Sequence, residues 1–409
     1  MYKEIKKCRI SESENLINVL SLGNMALTGV FPKNKDEKIT NGPVDLVWCP
    51  DSGLLQMKQS YSLEEMYGDN YGYRSGLNSS MVNHLKQKIK TLENIIKLND
   101  SDLVIDIGSN DATSLKSYTG NHQKVGIDPT GEKFRQYYTD DITLIADFFT
   151  AEKFKSLFPN KKAKIITSIA MFYDLESPLE FISDISSCLD EEGIWHFEQS
   201  YMPSMLKTNS YDTICHEHLE FYSLKVVKKM LEKLDLRILD VQMNSINGGS
   251  FAVTACKKSA KHISNTPIIN WLLNQENEMG LDTDKPYLEF AKNTFNHKKN
   301  LVNLIDSLVK DGKKVFGYGA STKGNVLLQF CNLTSDQIPY IAEVNKEKFG
   351  SFTPGTHIPI ISEEKAKAMN PDYFLVLPWH FKNNILEREK EFLARGGKFI
   401  FPLPGIEII

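Results

Sequence analysis

Cys215-His216-Glu217-His218, inside NSYDTICHEHLEFYS, crowds four proton-handling side chains into one short stretch. An imidazole titrates near neutral pH, so one of the histidines could act as a general base with Glu217 in support. On a strand His216 and His218 would share a face; on a helix they would diverge, and His-Glu-His lacks the i, i+4 spacing of a zinc-binding helix. The same residues could instead form a structural polar cluster satisfied by backbone groups. A second constellation is Asp106-Ile-Gly108-Ser109-Asn110-Asp111, where a strand pattern gives way to a helix. Gly108 there would let the backbone approach a ligand closely. Asp128 closes the next strand, VGIDP, about 20 residues on, where a carboxylate can accept hydrogen bonds from a ribose diol. Asp147-Phe148-Phe149 follows the third strand. The pattern is not Gly-x-Gly-x-x-Gly, and no helix start is shaped to grip a pyrophosphate. A ribose without a pyrophosphate fits S-adenosyl-L-methionine better than NAD; the alternative is an ordinary strand–helix turn.

Three further patterns carry less chemistry. Tyr67 to Ser75, with Tyr71 and Tyr73, suits either the wall of a polar pocket or a loop of packed tyrosines. Gly317-Tyr318-Gly319-Ala320, running into Lys323, is similar to a phosphate-binding helix N-terminus, though many such turns bind nothing. Cys8-x-x-Ser11 and Cys49-x-x-Ser52 would be two zinc knuckles if the serines were cysteines. Zinc wants four N or S donors, so two free cysteines and no metal are expected.

The elements that must position these residues follow from periodicity. Residues 1 to about 80 are punctuated by Gly, Pro, Asn and Asp, which predicts short strands and turns with little helix. Apolar steps of three or four predict a helix over Asn78–Leu98. Strands are expected at Leu103–Gly108, Lys124–Asp128, Ile142–Asp147, Ala163–Ala170 and Gly193–Gln199, with a helix before the last. Alternation of this kind implies a doubly wound parallel sheet. A second, smaller alternation begins near Asn300. The fold class is therefore α/β: a small irregular N-terminal domain (1–77), a central Rossmann-like domain (78–256), a helical connector (257–300) and a C-terminal Rossmann-like domain (301–409). At 409 residues the chain is long enough for that number of cores. A net charge of −4 and the lack of long basic runs argue against nucleic acid. No stretch is long and apolar enough to predict a membrane span. Six scattered Cys suggest a reduced, cytoplasmic setting, and a monomer is the default expectation.

Taken in order, CRIS, CPDSGLLQ, YGYRSG, DIGSND, SYDTICHEH, NGGSF, GYGASTKGN and FTPGTHIP resemble the sugar C-methyltransferases that act on nucleotide-linked deoxysugars, across essentially the whole chain. The resemblance implies a zinc-knuckle N-terminal domain, a central methyltransferase domain, a C-terminal Rossmann-like domain, S-adenosyl-L-methionine as cofactor and a nucleotide-linked keto sugar as substrate. It implies His218 as the base, supported by Glu217 and His216, with Tyr71 or Tyr73 contacting the substrate or its enolate. Asp106, Gly108, Ser109, Asn110, Asp128, Asp147 and Phe148 would hold the cofactor. Cys215, Tyr222, Tyr318 and Lys323 would contact the nucleotide sugar, Lys323 at its phosphates. The chain departs from the family in three places. Cys215 stands where the family has Tyr before His-Glu-His, and a thiol is a poorer donor than a phenol. AMFYDLESP offers Tyr173 and Asp174 where the family often has a His. Ser11 and Ser52 replace two expected zinc ligands. These changes leave open O- or N-methylation of a related sugar, or an inactive sugar-binding homologue.

Overall fold

The structure, a computed structural model, describes residues 2–62, 65, 66 and 73–409. Tyr71 and the first part of the aromatic loop lie outside the described residues.

Strands β1 (Ile17–Ala26), β2 (Asn41–Trp48) and β3 (Leu55–Met57) open the chain as an antiparallel meander. The expectation of short irregular pieces is corrected here, since β1 has 10 residues and β2 has 8. The Gly, Pro and Asn residues that suggested breaks sit inside the strands, at register shifts between Asn18/Leu20 and Ser21/Asn24. Helix α1 (Ser79–Ile95) then follows, started by the Asn78 side chain accepting from Ser80 N.

The central sheet uses β4 (Leu103–Ile107), β5 (Gln123–Ile127), β6 (Ile142–Ile145), β7 (Ala163–Ile169) and β8 (Leu189–Ser200), all parallel. Every residue of β4 is buried, as expected of a parallel strand covered on both faces. Helices α2 (Ala151–Leu157), α3 (Pro178–Cys188) and α5 (Leu224–Lys233) pack around it, while α4 (Met202–Thr208) lends Met202, Met205 and Leu206 to the core of the N- and C-terminal sheets. The two-residue strand β9 (Glu220–Phe221) leaves this unit and pairs with β3 of the N-terminal sheet. An antiparallel hairpin, β10 (Leu236–Asn244) and β11 (Ser250–Lys257), completes the central sheet. Its order is β10-β11-β8-β7-β4-β5-β6, so strand order reverses between β4 and β7. Ligands of such sheets bind outside the carboxyl ends of the strands at that switch point. The hairpin was not anticipated, and β8 begins at Leu189 rather than Gly193.

Helices α6 (Thr266–Glu278) and α7 (Lys285–Lys310) follow. The boundary placed at residue 300 falls inside α7, whose buried stripe of Tyr287, Phe290, Thr294, His297, Leu301 and Ile305 is continuous. Then come β12 (Val315–Tyr318), α8 (Thr322–Phe330), β13 (Ile341–Glu343), β14 (Ile360–Ser362), β15 (Tyr373–Val376), β16 (Lys398–Phe401) and an antiparallel edge β17 (Glu407–Ile408). The order β14-β13-β12-β15-β16-β17 is that of a Rossmann sheet.

One apolar core runs from Val19 and Leu46 of the N-terminal sheet through Tyr211 and Cys215 to Leu327 and Phe374 of the C-terminal sheet. Another joins Cys8, Cys49 and Leu54 to the central sheet. The N-terminal sheet is thus wedged against both α/β units. Gln329 of α8 grips β1 by both ends of its amide, accepting from Ala26 N at 2.8 Å and donating to Ala26 O at 3.1 Å. The segment from Tyr211 to Leu219 lies where all three units meet.

Candidate functional site

At the carboxyl end of β4 the chain turns through Gly108, φ +73°, and Asn110, φ +50°. The left-handed region costs Gly nothing and Asn little. Asn110 N donates to Asp128 Oδ2 at 2.8 Å, while Thr130 N and Oγ1 donate to Oδ1 at 2.7 and 2.6 Å. A carboxylate has about four acceptor sites, so Asp128 keeps capacity for a ribose hydroxyl. Ser109 Oγ and the Tyr138 hydroxyl lie 2.7 Å apart, and that hydroxyl donates to Asn110 O at 2.9 Å, bracing the turn from below. Asp106 lies beneath the loop, its Oδ1 accepting from Thr167 Oγ1 at 2.5 Å. Burial pushes its pKa up to about 7, with the Asp128 charge adding to this and hydrogen bonds from Thr167 and Ser114 opposing it.

The aromatic loop docks onto this turn. Ser75 N donates to Asn110 Oδ1 at 3.0 Å, Gly76 N to Asp111 Oδ2 at 2.9 Å, and Asn110 Nδ2 to Tyr73 O at 3.1 Å. The Tyr73 backbone carbonyl is thereby tied to the turn, and its hydroxyl hydrogen-bonds to Ser75. Phe148 presents a ring 46% exposed beyond the third strand, an open apolar face of the size a purine would stack on. Asp147 is turned aside to pair with Lys153 at 2.7 Å. These residues fit an adenosyl group: a close-approach turn, a carboxylate for the ribose and an open ring for the base.

The His-Glu-His segment is a turn, neither strand nor helix, so its side chains part company. His216 is fully buried, edge-on to Tyr61 with ring centroids 4.7 Å apart. Burial holds its pKa down near 4. It packs in the N-terminal wedge, away from the direction His218 takes. Glu217 lies against Gly29 of the N-terminal unit and Thr322 of α8; an added Cβ on Gly29 would sit 2.5 Å from Glu217 Oε1. Burial raises its pKa. His218 points elsewhere again: its Nδ1 donates to Thr213 O at 2.7 Å, and its ring meets Tyr173 edge-on at 4.3 Å. With the proton on Nδ1, Nε2 carries the lone pair that a base needs. Burial and the Lys323 charge push its pKa down to about 3, with the Thr213 carbonyl opposing, so the ring is neutral.

Lys323, at the start of α8, sits near enough to Asp212, Cys215, His218 and His380 for its charge to shift each of them. The expected phosphate contact thus starts from a lysine that also neighbours the His-Glu-His segment. Gly319 and Gly324 serve packing: a Cβ on either would meet Pro378 at 2.7 Å or Leu377 at 2.6 Å. Cys215 is 1% exposed within the shared core, and burial holds its thiol protonated. Two other expected substrate contacts lie with their rings in apolar cores. Tyr222 stacks on Phe172 in the central core, centroids 5.2 Å apart. Tyr318 is buried under the C-terminal sheet, its hydroxyl donating to Glu389 at 2.9 Å.

Among the described residues, Asp212 Oδ1, Thr213 Oγ1, Glu217 Oε2 and His380 Nδ1 are buried polar atoms near His218 without a hydrogen-bond partner. Burying such atoms unpaired is costly, and a polar ligand would satisfy them. Asp212 and His380 were missed in the sequence, although Trp379-His380 follows the carboxyl end of β15, where a Rossmann sheet places its ligands. Trp379 Nε1 donates to Asp212 Oδ2 at 2.7 Å, tying the two segments together.

Three family models tile the chain: "Putative zinc binding domain" over 8–67, "Methyltransferase domain" over 80–241 and "C-methyltransferase C-terminal domain" over 245–404. C-methyltransferase NovU of Streptomyces niveus is 31% identical over 411 residues, covering 100% of this chain and 97% of that protein. The chain belongs to the S-adenosylmethionine-dependent C-methyltransferases. Among solved structures, the plantazolicin methyltransferase BpumL with S-adenosylhomocysteine is 14% identical, with TM-score 0.36 over 45% of this chain and 87% of that one. Magnesium protoporphyrin IX methyltransferase of Synechocystis PCC 6803 is 14% identical, with TM-score 0.32 over 44% of this chain and 82% of that one. Among the described residues, no helix of this C-methyltransferase is long and apolar enough to cross a membrane.

The zinc that the first family model names does not fit the residues present. The two turns meet, but with Cys8 Sγ against Ser52 Oγ at 3.3 Å and Ser11 Oγ against Cys49 Sγ at 3.6 Å. Two thiols and two hydroxyls are not the four N or S donors of a structural zinc site. Among the described residues, no group of three or more His, Cys, Asp and Glu is placed to hold a metal.

Proposed function

We propose that this C-methyltransferase methylates the carbon beside the ketone of a nucleotide-linked deoxysugar, with His218 as the general base. The observation that carries the reading is the His218–Thr213 hydrogen bond, which gives a neutral imidazole with its lone pair on Nε2. The motif-by-motif resemblance to the nucleotide-deoxysugar C-methyltransferases supports the substrate class, and the full-length similarity to a C-methyltransferase supports the transfer to carbon.

S-adenosylmethionine supplies an electrophilic methyl group on a sulfonium. Carbon becomes nucleophilic enough to take it only as an enolate, so His218 Nε2 removes the proton beside the ketone. Lys323 lies beside that base; burial lowers its pKa while Asp212 and Cys215 oppose that, and we assign its ammonium to the developing enolate oxygen in place of the phenol lost at Cys215. Glu217, Asp212, Thr213 and His380 would bind the sugar hydroxyls with their unpartnered atoms. Asn110, Asp128 and Phe148 would hold the cofactor. The six cysteines are free and buried, which fits a reducing cytoplasmic setting.

The test is exchange of the proton beside the ketone in deuterated water, using a thymidine-diphosphate 4-keto-6-deoxysugar and S-adenosylhomocysteine. Wild type should exchange it, and His218→Asn should slow both exchange and methyl transfer by about 10²–10⁴-fold. Exchange that survives unchanged in His218→Asn would exclude that residue as the base. Methyl transfer to oxygen or nitrogen would overturn the substrate chemistry.

A further inference from the structure

The turns at Cys8 and Cys49 are built alike. Cys8 N donates to Ser13 O at 2.8 Å, and Cys8 O accepts from Glu12 N at 3.0 Å; Cys49 N donates to Leu54 O at 2.9 Å, and Cys49 O accepts from Gly53 N at 2.8 Å. Glu12 and Gly53, the fourth residue after each Cys, are both left-handed, with φ +58° and +85°. Two superimposable turns face each other with their first and fourth side chains, Cys8, Ser11, Cys49 and Ser52, converging. Tetrahedral sulfur ligands at a zinc bond length of about 2.3 Å stand about 3.8 Å apart. The thiol–hydroxyl separations of 3.3 and 3.6 Å come close to that edge.

We propose that these four corners form a zinc cage closed without zinc: two thiol–hydroxyl hydrogen bonds tie the turns together, and the N-terminal domain folds independently of metal. Half the thiols are replaced by hydroxyls, so no set of buried thiolates is left needing a cation. Other anchors share the task. Arg9, beside the first turn, donates to Met57 O at 2.7 Å and Ser60 Oγ at 2.9 Å, and Lys229 Nζ donates to Ser52 O at 3.2 Å. With the two alike turns already held face to face, restoring the two sulfurs restores the site.

The experiment measures metal content and thermal unfolding of the full-length protein, as wild type and as Ser11→Cys/Ser52→Cys. Wild type should carry well under one zinc per chain and melt at the same temperature with and without a strong chelator. The double variant should take up about one zinc per chain and lose stability on chelation. One equivalent of zinc in wild type, or a chelator-induced fall in its melting temperature, overturns the metal-free fold. A folded double variant that binds no zinc overturns the preformed cage. If the double variant does not fold, Ser52→Cys alone offers three thiols to cobalt(II). A thiolate-to-cobalt charge-transfer band then supports the cage, and its absence refutes it.

Discussion

Gly29→Ala places a methyl group where the Glu217 carboxylate now rests. The added Cβ would lie 2.5 Å from Glu217 Oε1, against 3.4 Å or more for an ordinary contact, so the carboxylate must withdraw by roughly 0.9 Å. The obstacle is the end of a flexible side chain, so a small rotation relieves it and the backbone stays in place. Gly29 is not among the residues with positive φ, so Ala suits its backbone. Loss of unfolded-state freedom then stabilises the variant by about 0.4–1 kcal/mol. The carboxylate proposed to bind a sugar hydroxyl is then displaced, and a shift of about 1 Å in a positioning group costs roughly 10²-fold in rate. The expected outcome is a melting temperature equal to or slightly above wild type, with kcat for methyl transfer reduced about 10²-fold. Thermal unfolding and single-turnover methyl transfer from labelled S-adenosylmethionine measure the two quantities. A variant with full kcat would show that the place of the Glu217 carboxylate does not matter to the chemistry. A variant that unfolds would show that the turn, not the carboxylate, is what Gly29 serves.

Two further predictions address the base and the cofactor turn. Lys323 charge disfavours the imidazolium of His218, so Lys323→Met removes that penalty and raises the His218 pKa above about 3. The acid limb of the kcat/KM profile should therefore move to higher pH, and a limb that stays put or moves down contradicts the assigned neighbourhood. Asp128→Ala deletes the acceptor of Asn110 N and Thr130 together with the ribose carboxylate. Hydrogen bonds to a charged group are worth about 1.5–3 kcal/mol each, so S-adenosylhomocysteine affinity measured by calorimetry should fall at least about tenfold. Unaltered affinity would move the ribose away from this strand end.

Much of this protein could be read from short-range pattern. The apolar run of β4, the glycine turn behind it and Asp128 one strand later are local features, because a strand, its turn and its neighbour are set by consecutive side chains. The alternation of strands and helices identified both α/β units for the same reason, and the matching Cys-x-x-Ser pairs marked the two turns that meet. The β10–β11 hairpin and the length of β1 escaped, since pairing across a sheet is decided by partners distant in sequence. Residue roles in the site escaped for a related reason. His216, Glu217 and His218 are adjacent in sequence, yet Tyr61, Gly29 and Thr213 draw them in three directions. That Tyr222 and Tyr318 lie in apolar cores shows only once those cores are assembled. Lys323 and His380 reach the base only because the C-terminal unit folds back onto the wedge formed by the N-terminal sheet. Sequence by itself determined the cofactor turn and the order of the elements. The tertiary structure alone decided which histidine holds a usable lone pair, because the direction of a side chain in a turn is set by what packs around it.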